Sequence, residues 1–167
     1  MKKTLDIPKK IDPELEHFIE KLGTFYQSLG LPHISGKIMG LLLILDVPFS
    51  PEDIARLLQV SRSSVSTNIK LLSLYGFLEE FRIPGVRRKY FLFSKNAWEN
   101  SLKVKIMTYT PFQEILLEGI SSMKKANRSP LLIEELLEYT KQERSLYENL
   151  LKNWKSILKN RKKKEKL

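Results

Sequence analysis

The sequence contains no cysteine. That excludes a disulfide framework and any zinc site built on thiolates. Histidine is nearly absent as well: His17 and His33 are the only two, and they lie far apart in sequence. There is no glycine-rich phosphate loop, no cluster of metal ligands and no nucleophile motif, so nothing assembles a catalytic or cofactor site, and none is expected. Glycine and proline are scarce, at 7 and 8 of 167 residues, which argues against long flexible linkers. Nor is there an apolar run long enough to span a bilayer. The longest stretch, from Ile38 to Leu45, reads as one buried helix. The N-terminal MKKTLDIPKK lacks the apolar centre of a secretory leader. A cytoplasmic protein with no membrane partner is expected.

What is abundant is positive charge. The formal net charge is +10, a balance that favours polyanionic partners. Its distribution is uneven. Residues 61–95 hold seven basic side chains (Arg62, Lys70, Arg82, Arg87, Arg88, Lys89, Lys95) against two acids, Glu79 and Glu80. Residues 155–167 hold another seven (Lys155, Lys159, Arg161, Lys162, Lys163, Lys164, Lys166) against Glu165 alone. The basic tail fits either nonspecific phosphate contact or a solvated end.

Local signals divide the chain into helices and one hairpin. Residues 1–11 read as a loose basic arm. Asp12 followed by Pro13 is a cap and a first helical position. Leu15, Phe18, Ile19, Leu22, Phe25, Tyr26 and Leu29 then recur at helical spacing until Gly30. A helix this apolar must pack on its own core or on a partner. Residues 35–46 form a second helix, apolar on nearly every side and therefore central to a core. Ser50-Pro51-Glu52-Asp53 starts a third, with an acid three residues after the serine cap. Gln59-Val60 is a turn, and Ser61 caps a fourth helix that buries Val65, Ile69 and Leu72 and stops at Gly76. Strands are expected over 77–83 and 90–93, joined through Pro84-Gly85. Beyond Lys95, helices are expected over 96–108, from Thr110-Pro111 onward, and from Ser129-Pro130 onward. The last carries Ile133, Leu136, Leu137, Tyr147, Leu150, Leu151, Trp154, Ile157 and Leu158 at coiled-coil spacing, interrupted by Thr140 and Glu143.

Helix, tight turn, helix and basic hairpin, in that order, make a winged helix-turn-helix, whose second helix enters the major groove of DNA. The composition of that helix fits. Serine is a mediocre helix former, yet Ser61, Ser63, Ser64 and Ser66 crowd its start. Short hydroxyls allow close approach and hydrogen bonds to phosphates or base edges. With Val65 and Ile69 turned inward, Arg62, Ser63, Ser66, Thr67 and Lys70 face outward. Arg82, Arg87, Arg88 and Lys89 on the hairpin suit a neighbouring phosphate or a narrow minor groove. The candidate DNA contacts are therefore Ser61, Arg62, Ser63, Ser64, Ser66, Thr67, Lys70, Arg82, Arg87, Arg88 and Lys89. Glu79 and Glu80, adjacent on a strand, point to opposite faces and do not form a paired catalytic site. Phe25, Tyr26, Trp98, Tyr109, Phe112 and Trp154 are aromatic enough to hold a cationic effector, but core packing accounts for them equally well, and no effector residue is assigned.

The order of several segments resembles one family. These are Gly30-Leu31-Pro32, residues 36–43 (GKIMGLLL), residues 50–55 (SPEDIA), residues 60–66 (VSRSSVS) and residues 84–90 (PGVRRKY). Over about residues 15–94 the chain is similar to GbsR-type regulators, MarR-like winged-helix repressors named for control of glycine-betaine synthesis. The resemblance implies a homodimer whose N- and C-terminal helices form the interface. It implies double-stranded DNA as partner, contacted through residues 61–70 and through Arg87, Arg88 and Lys89. It also brings the possibility of a small-molecule effector, choline-like in some relatives.

The expected fold is mainly α with a small β-hairpin wing: a winged helix-turn-helix plus N- and C-terminal dimerisation helices. Its divisions are an arm and dimerisation helix (1–34), the DNA-binding domain (35–95) and a C-terminal helical dimerisation region with a basic tail (96–167). The expected function is a sequence-specific transcriptional regulator, a homodimeric repressor reading an inverted repeat. The alternative is a winged-helix module that binds proteins, or binds DNA without reading sequence, inside a larger assembly.

Overall fold

The computed structural model describes the backbone of residues 7–164 and the side chains of residues 7–160. Of the basic tail, Arg161, Lys162, Lys163, Lys164 and Lys166 have side chains outside those described. The order is α1 (Pro13–Ser28), α2 (His33–Leu45), α3 (Pro51–Leu58), α4 (Arg62–Leu74), β1 (Leu78–Arg82), β2 (Lys89–Phe93), α5 (Ala97–Lys125) and α6 (Leu131–Lys164). The chain forms two compact units, parting between Ala97 and Trp98. No helix among the described residues is long and apolar enough to cross a membrane.

The first unit is built around α2. Ile38, Met39, Leu41 and Leu42 are buried, joined in one core by Ile19 of α1, Ile54, Leu57 and Leu58 of α3, and Val65, Ile69 and Leu72 of α4. The helix starts are those expected from their caps. Asp12 accepts from the Glu14 amide at 3.0 Å, Ser50 from the Asp53 amide at 3.2 Å and Ser61 from the Ser64 amide at 3.2 Å. Gln59 takes a left-handed conformation (φ 54°) and turns the chain from α3 into α4.

Helix α1 lies on α2 at close range, and glycine permits it. A Cβ on Gly36 would fall 2.5 Å from the Leu22 carbonyl oxygen and 2.8 Å from the Gly23 Cα. Residues 7–11 depart from the expected loose arm: Ile7 and Ile11 pack on the core, and Arg56 donates to the carbonyls of Lys9 (2.9 Å) and Pro8 (3.3 Å). A run with no periodicity carries no signal for such docking.

The wing is a two-stranded antiparallel sheet, with Leu78 opposite Phe93 and Arg82 opposite Lys89. Gly85 takes φ 79° in its turn. An isolated bridge anchors the base: Phe49 donates to the Phe91 carbonyl at 2.8 Å and Phe91 to that of Phe49 at 2.7 Å. Phe49, fully buried, ties the wing to the core.

In the second unit α5 and α6 run antiparallel. Leu116, Ile120, Leu137 and Ile133 form the apolar contact. Gln113 reaches Thr140 at 3.4 Å, and Arg144 donates to Thr110 at 3.2 Å. Tyr109 stacks on Tyr147, with Lys105 4.3 Å above the Tyr147 ring. Burial, and then the Glu143 carboxylate, push the Tyr109 phenol well above its usual range. Thr110-Pro111 does not begin a new helix, contrary to expectation; α5 runs through it. Pro111 removes one helical hydrogen bond. It lies on the exposed side, and Met107, one turn earlier, is 73% exposed, so water can satisfy the carbonyl left over.

One buried polar pair links α2 to α4. The Ser35 hydroxyl donates to Asn68 Oδ1 at 2.6 Å, and Asn68 Nδ2 donates to the Ser64 carbonyl at 2.8 Å. Replacing Asn68 with Ala should cost on the order of 1–3 kcal/mol, because Ser35 loses its buried acceptor. Asn68→Ala combined with Ser35→Ala should cost less than the sum of the two single changes. Gly36→Ala should lower stability by about 1–3 kcal/mol by wedging α1 from α2. Urea unfolding of the purified variants measures all of these.

Candidate nucleic-acid interface

Helix α4 has two faces with opposite duties. Val65, Asn68, Ile69 and Leu72 are buried, while Arg62, Ser63, Thr67 and Lys70 are exposed. Burial of the inner face fixes the helix axis and its rotation, and hence the direction of the outer face. The N-terminal end of α4 has no acid in its first turn. Its free amides and helix dipole therefore favour an anion such as a phosphate. The serines there are partly engaged with one another. Ser61 Oγ lies 3.1 Å from Ser63 Oγ and donates to Ser64 Oγ at 2.8 Å. Ser61 is thus occupied as the cap, and Ser64 is half-buried.

An open groove of about 920 Å³ lies between α4 and the wing. Of the candidate contacts, Arg62, Ser66, Lys70, Arg87, Arg88 and Lys89 line it together. Ser61, Ser63, Ser64, Thr67 and Arg82 are not among its lining residues. Recognition helix and wing, well separated in sequence, thus present a single cationic concavity.

Two acids also line the groove, and neither was among the expected site residues: Glu52 and Glu80. Glu80 Oε2 accepts from Lys89 at 2.8 Å and Oε1 from Arg82 at 2.7 Å. The bond from Lys89, then that from Arg82, holds the Glu80 carboxyl below its ordinary range. The strand register explains the cluster. Arg82 and Lys89 are direct cross-strand partners, and like charges at such a position repel. Glu80, two residues from Arg82 on the same face, offsets that repulsion. Glu52, in the first turn of α3, lies 2.6 Å from Arg62 Nη2. Sequence periodicity could reveal neither role, since each pairing spans a turn. Lys70, Arg87 and Arg88 make no ion pair among the described residues. The aromatic residues considered for an effector are divided between the units: Phe25 meets Tyr26 edge to face in the first, and Tyr109 stacks on Tyr147 in the second.

Comparison with known proteins places this architecture. No family model matches the chain. It is 31% identical over 133 residues to the HTH-type transcriptional regulator MmpR5 of Mycobacterium tuberculosis (strain ATCC 25618 / H37Rv), an alignment covering 77% of this chain and 81% of that protein. It is also similar to the crystal structure of a transcriptional regulator, with a TM-score of 0.79 and 25% identity, covering 86% of this chain and 99% of that one. With a winged helix-turn-helix, a cationic groove between recognition helix and wing, and this relative, the chain belongs to the MarR-like family of DNA-binding transcriptional regulators and is not an enzyme.

Proposed function

We propose that this regulator is a cytoplasmic homodimeric repressor of the GbsR type, reading an inverted repeat with one recognition helix per half-site. The observation that carries the reading is the single groove in which α4 and the wing gather Arg62, Ser66, Lys70, Arg87, Arg88 and Lys89. In this reading α4 lies in the major groove. Arg62, Ser63, Ser66 and Thr67 approach base edges, and Ser61, Ser64 and Lys70 approach phosphates. Arg87 and Arg88, without acid partners, grip the backbone or a narrowed minor groove. Arg82 and Lys89, shared with Glu80, contribute less.

Exposed apolar surface supports the homodimer. On α1, Leu15, Phe18, Phe25 and Leu29 fall on one stripe and are 37–59% exposed. Helix α6 carries two seams at alternating spacings of four and three. Ile133, Leu137, Thr140, Arg144, Tyr147, Leu151 and Trp154 form the less exposed seam, several of whose members meet α5. Leu132, Leu136, Tyr139, Leu146, Leu150 and Ile157 form the second, and all are 40% exposed or more. A monomer gains nothing by leaving such a seam in water, whereas a second copy would bury it. A small-molecule effector would relieve repression only by binding the DNA-competent and incompetent dimers unequally.

Selection of sites from random duplex DNA by the purified protein tests the reading. An inverted repeat with half-sites about 34 Å apart, or a multiple of that, is expected. Binding without a motif would favour a nonspecific role. Arg87→Ala with Arg88→Ala should flatten the dependence of log K on log salt by about 0.9 for each phosphate no longer neutralised. An unchanged slope would remove the wing from the interface. Leu146→Glu with Leu150→Glu should shift the protein toward the 19.5 kDa monomer in sedimentation equilibrium and weaken operator binding. A dimer of undiminished affinity would place the interface elsewhere.

A further inference from the structure

The cations lining the groove fall into two classes. Lys70, Arg87 and Arg88 make no ion pair among the described residues. Arg62, the first residue of the recognition helix, is held by an acid. Its Nη2 lies 2.6 Å from Glu52 Oε1, although its side chain is 70% exposed. Glu52 is the less mobile partner. It follows Pro51 in the first turn of α3, whose inner face is anchored by Ile54, Leu57 and Leu58. The second oxygen, Glu52 Oε2, is buried and accepts no hydrogen bond, so the carboxylate's ion pair is with Arg62.

An acid in a surface built for a polyanion weakens binding to every sequence, because it repels phosphate. Stability is a poor reason for it, since exposed ion pairs contribute little. Geometry is a better one. An unrestrained arginine beside DNA collapses onto the nearest phosphate, a contact that carries no sequence information. A guanidinium has five N–H donors. Tethered through Nη2, it retains donors for a guanine edge while its reach is restricted.

We propose that Glu52 is a specificity-determining positioning residue: it holds the Arg62 guanidinium for a base edge and away from the phosphate backbone. The inference rests on the reading of Arg62 as a DNA contact. It makes two predictions of opposite sign for one substitution: stronger binding to unrelated DNA and poorer discrimination.

The test is fluorescence anisotropy at several salt concentrations, using the selected operator and a scrambled duplex of equal length. The proteins are wild type, Glu52→Gln, Arg62→Ala and the double variant. Glu52→Gln should bind the scrambled duplex several-fold tighter. Its salt dependence there should steepen by about 0.9, the signature of one more phosphate neutralised. The operator-to-scrambled affinity ratio should fall roughly tenfold. In the Arg62→Ala background, Glu52→Gln should alter neither the slope nor the ratio. Glu52→Asp keeps the charge and shortens the reach, so it should lower the ratio without strengthening binding to scrambled DNA; it also serves if the glutamine variant is unstable. An unchanged ratio and slope in Glu52→Gln would overturn the proposal while leaving Arg62 as a contact. So would an equal fall in ratio with Arg62 absent. If Arg62→Ala itself leaves binding and discrimination intact, the reading of Arg62 fails, and the role of Glu52 with it.

Discussion

The interface depends on how α4 is buried. Val65, Ile69 and Leu72 sink into the apolar surface of α2, and Asn68 is locked to Ser35 beside them. Each of these contacts restricts rotation of α4 about its own axis. A rotation of one residue would bring buried aliphatics to the surface and leave Ser35 without its acceptor, both costly. The outer face carrying Arg62, Ser66 and Lys70 is therefore aimed by groups that never leave the core. The wing is aimed in the same way. Its bridge to Phe49 and the buried Phe49 ring set where Arg87 and Arg88 begin.

Charge in the groove is arranged rather than merely accumulated. Three cations are available without competition, two share Glu80, and one is held by Glu52. A purely cationic concavity would bind any duplex strongly, because the phosphate term is independent of sequence. Acids placed among the cations reduce that term and restrict the geometry of what remains. Discrimination between duplexes, which a regulator requires, is a difference of affinities, and repulsive elements contribute to it.

Much of this was legible locally. The caps at Asp12, Ser50 and Ser61, the turn at Gly85 and the inward set of α4 are short-range features, each governed by hydrogen bonds or sterics within a few residues. Misreadings came where a short-range rule met a longer-range one. Pro111 carries a helix-start signal, yet helix on both sides and an exposed setting let α5 continue through it. Ile7 and Ile11, in a run without periodicity, are held by the core and by Arg56. Glu80 forms no catalytic pair, as its strand position implies, but its neighbours across the hairpin give it a different task.

The sequence by itself determined the elements, their order and the location of the positive charge, because periodicity, capping and composition are written along the chain. Only the tertiary structure decided which cations are free and which are held. Glu52 and Arg62 are ten positions apart across a turn, and Glu80 meets Lys89 across a hairpin. Such pairings depend on the angle between α3 and α4 and on strand register, which are set by core packing that no local pattern encodes.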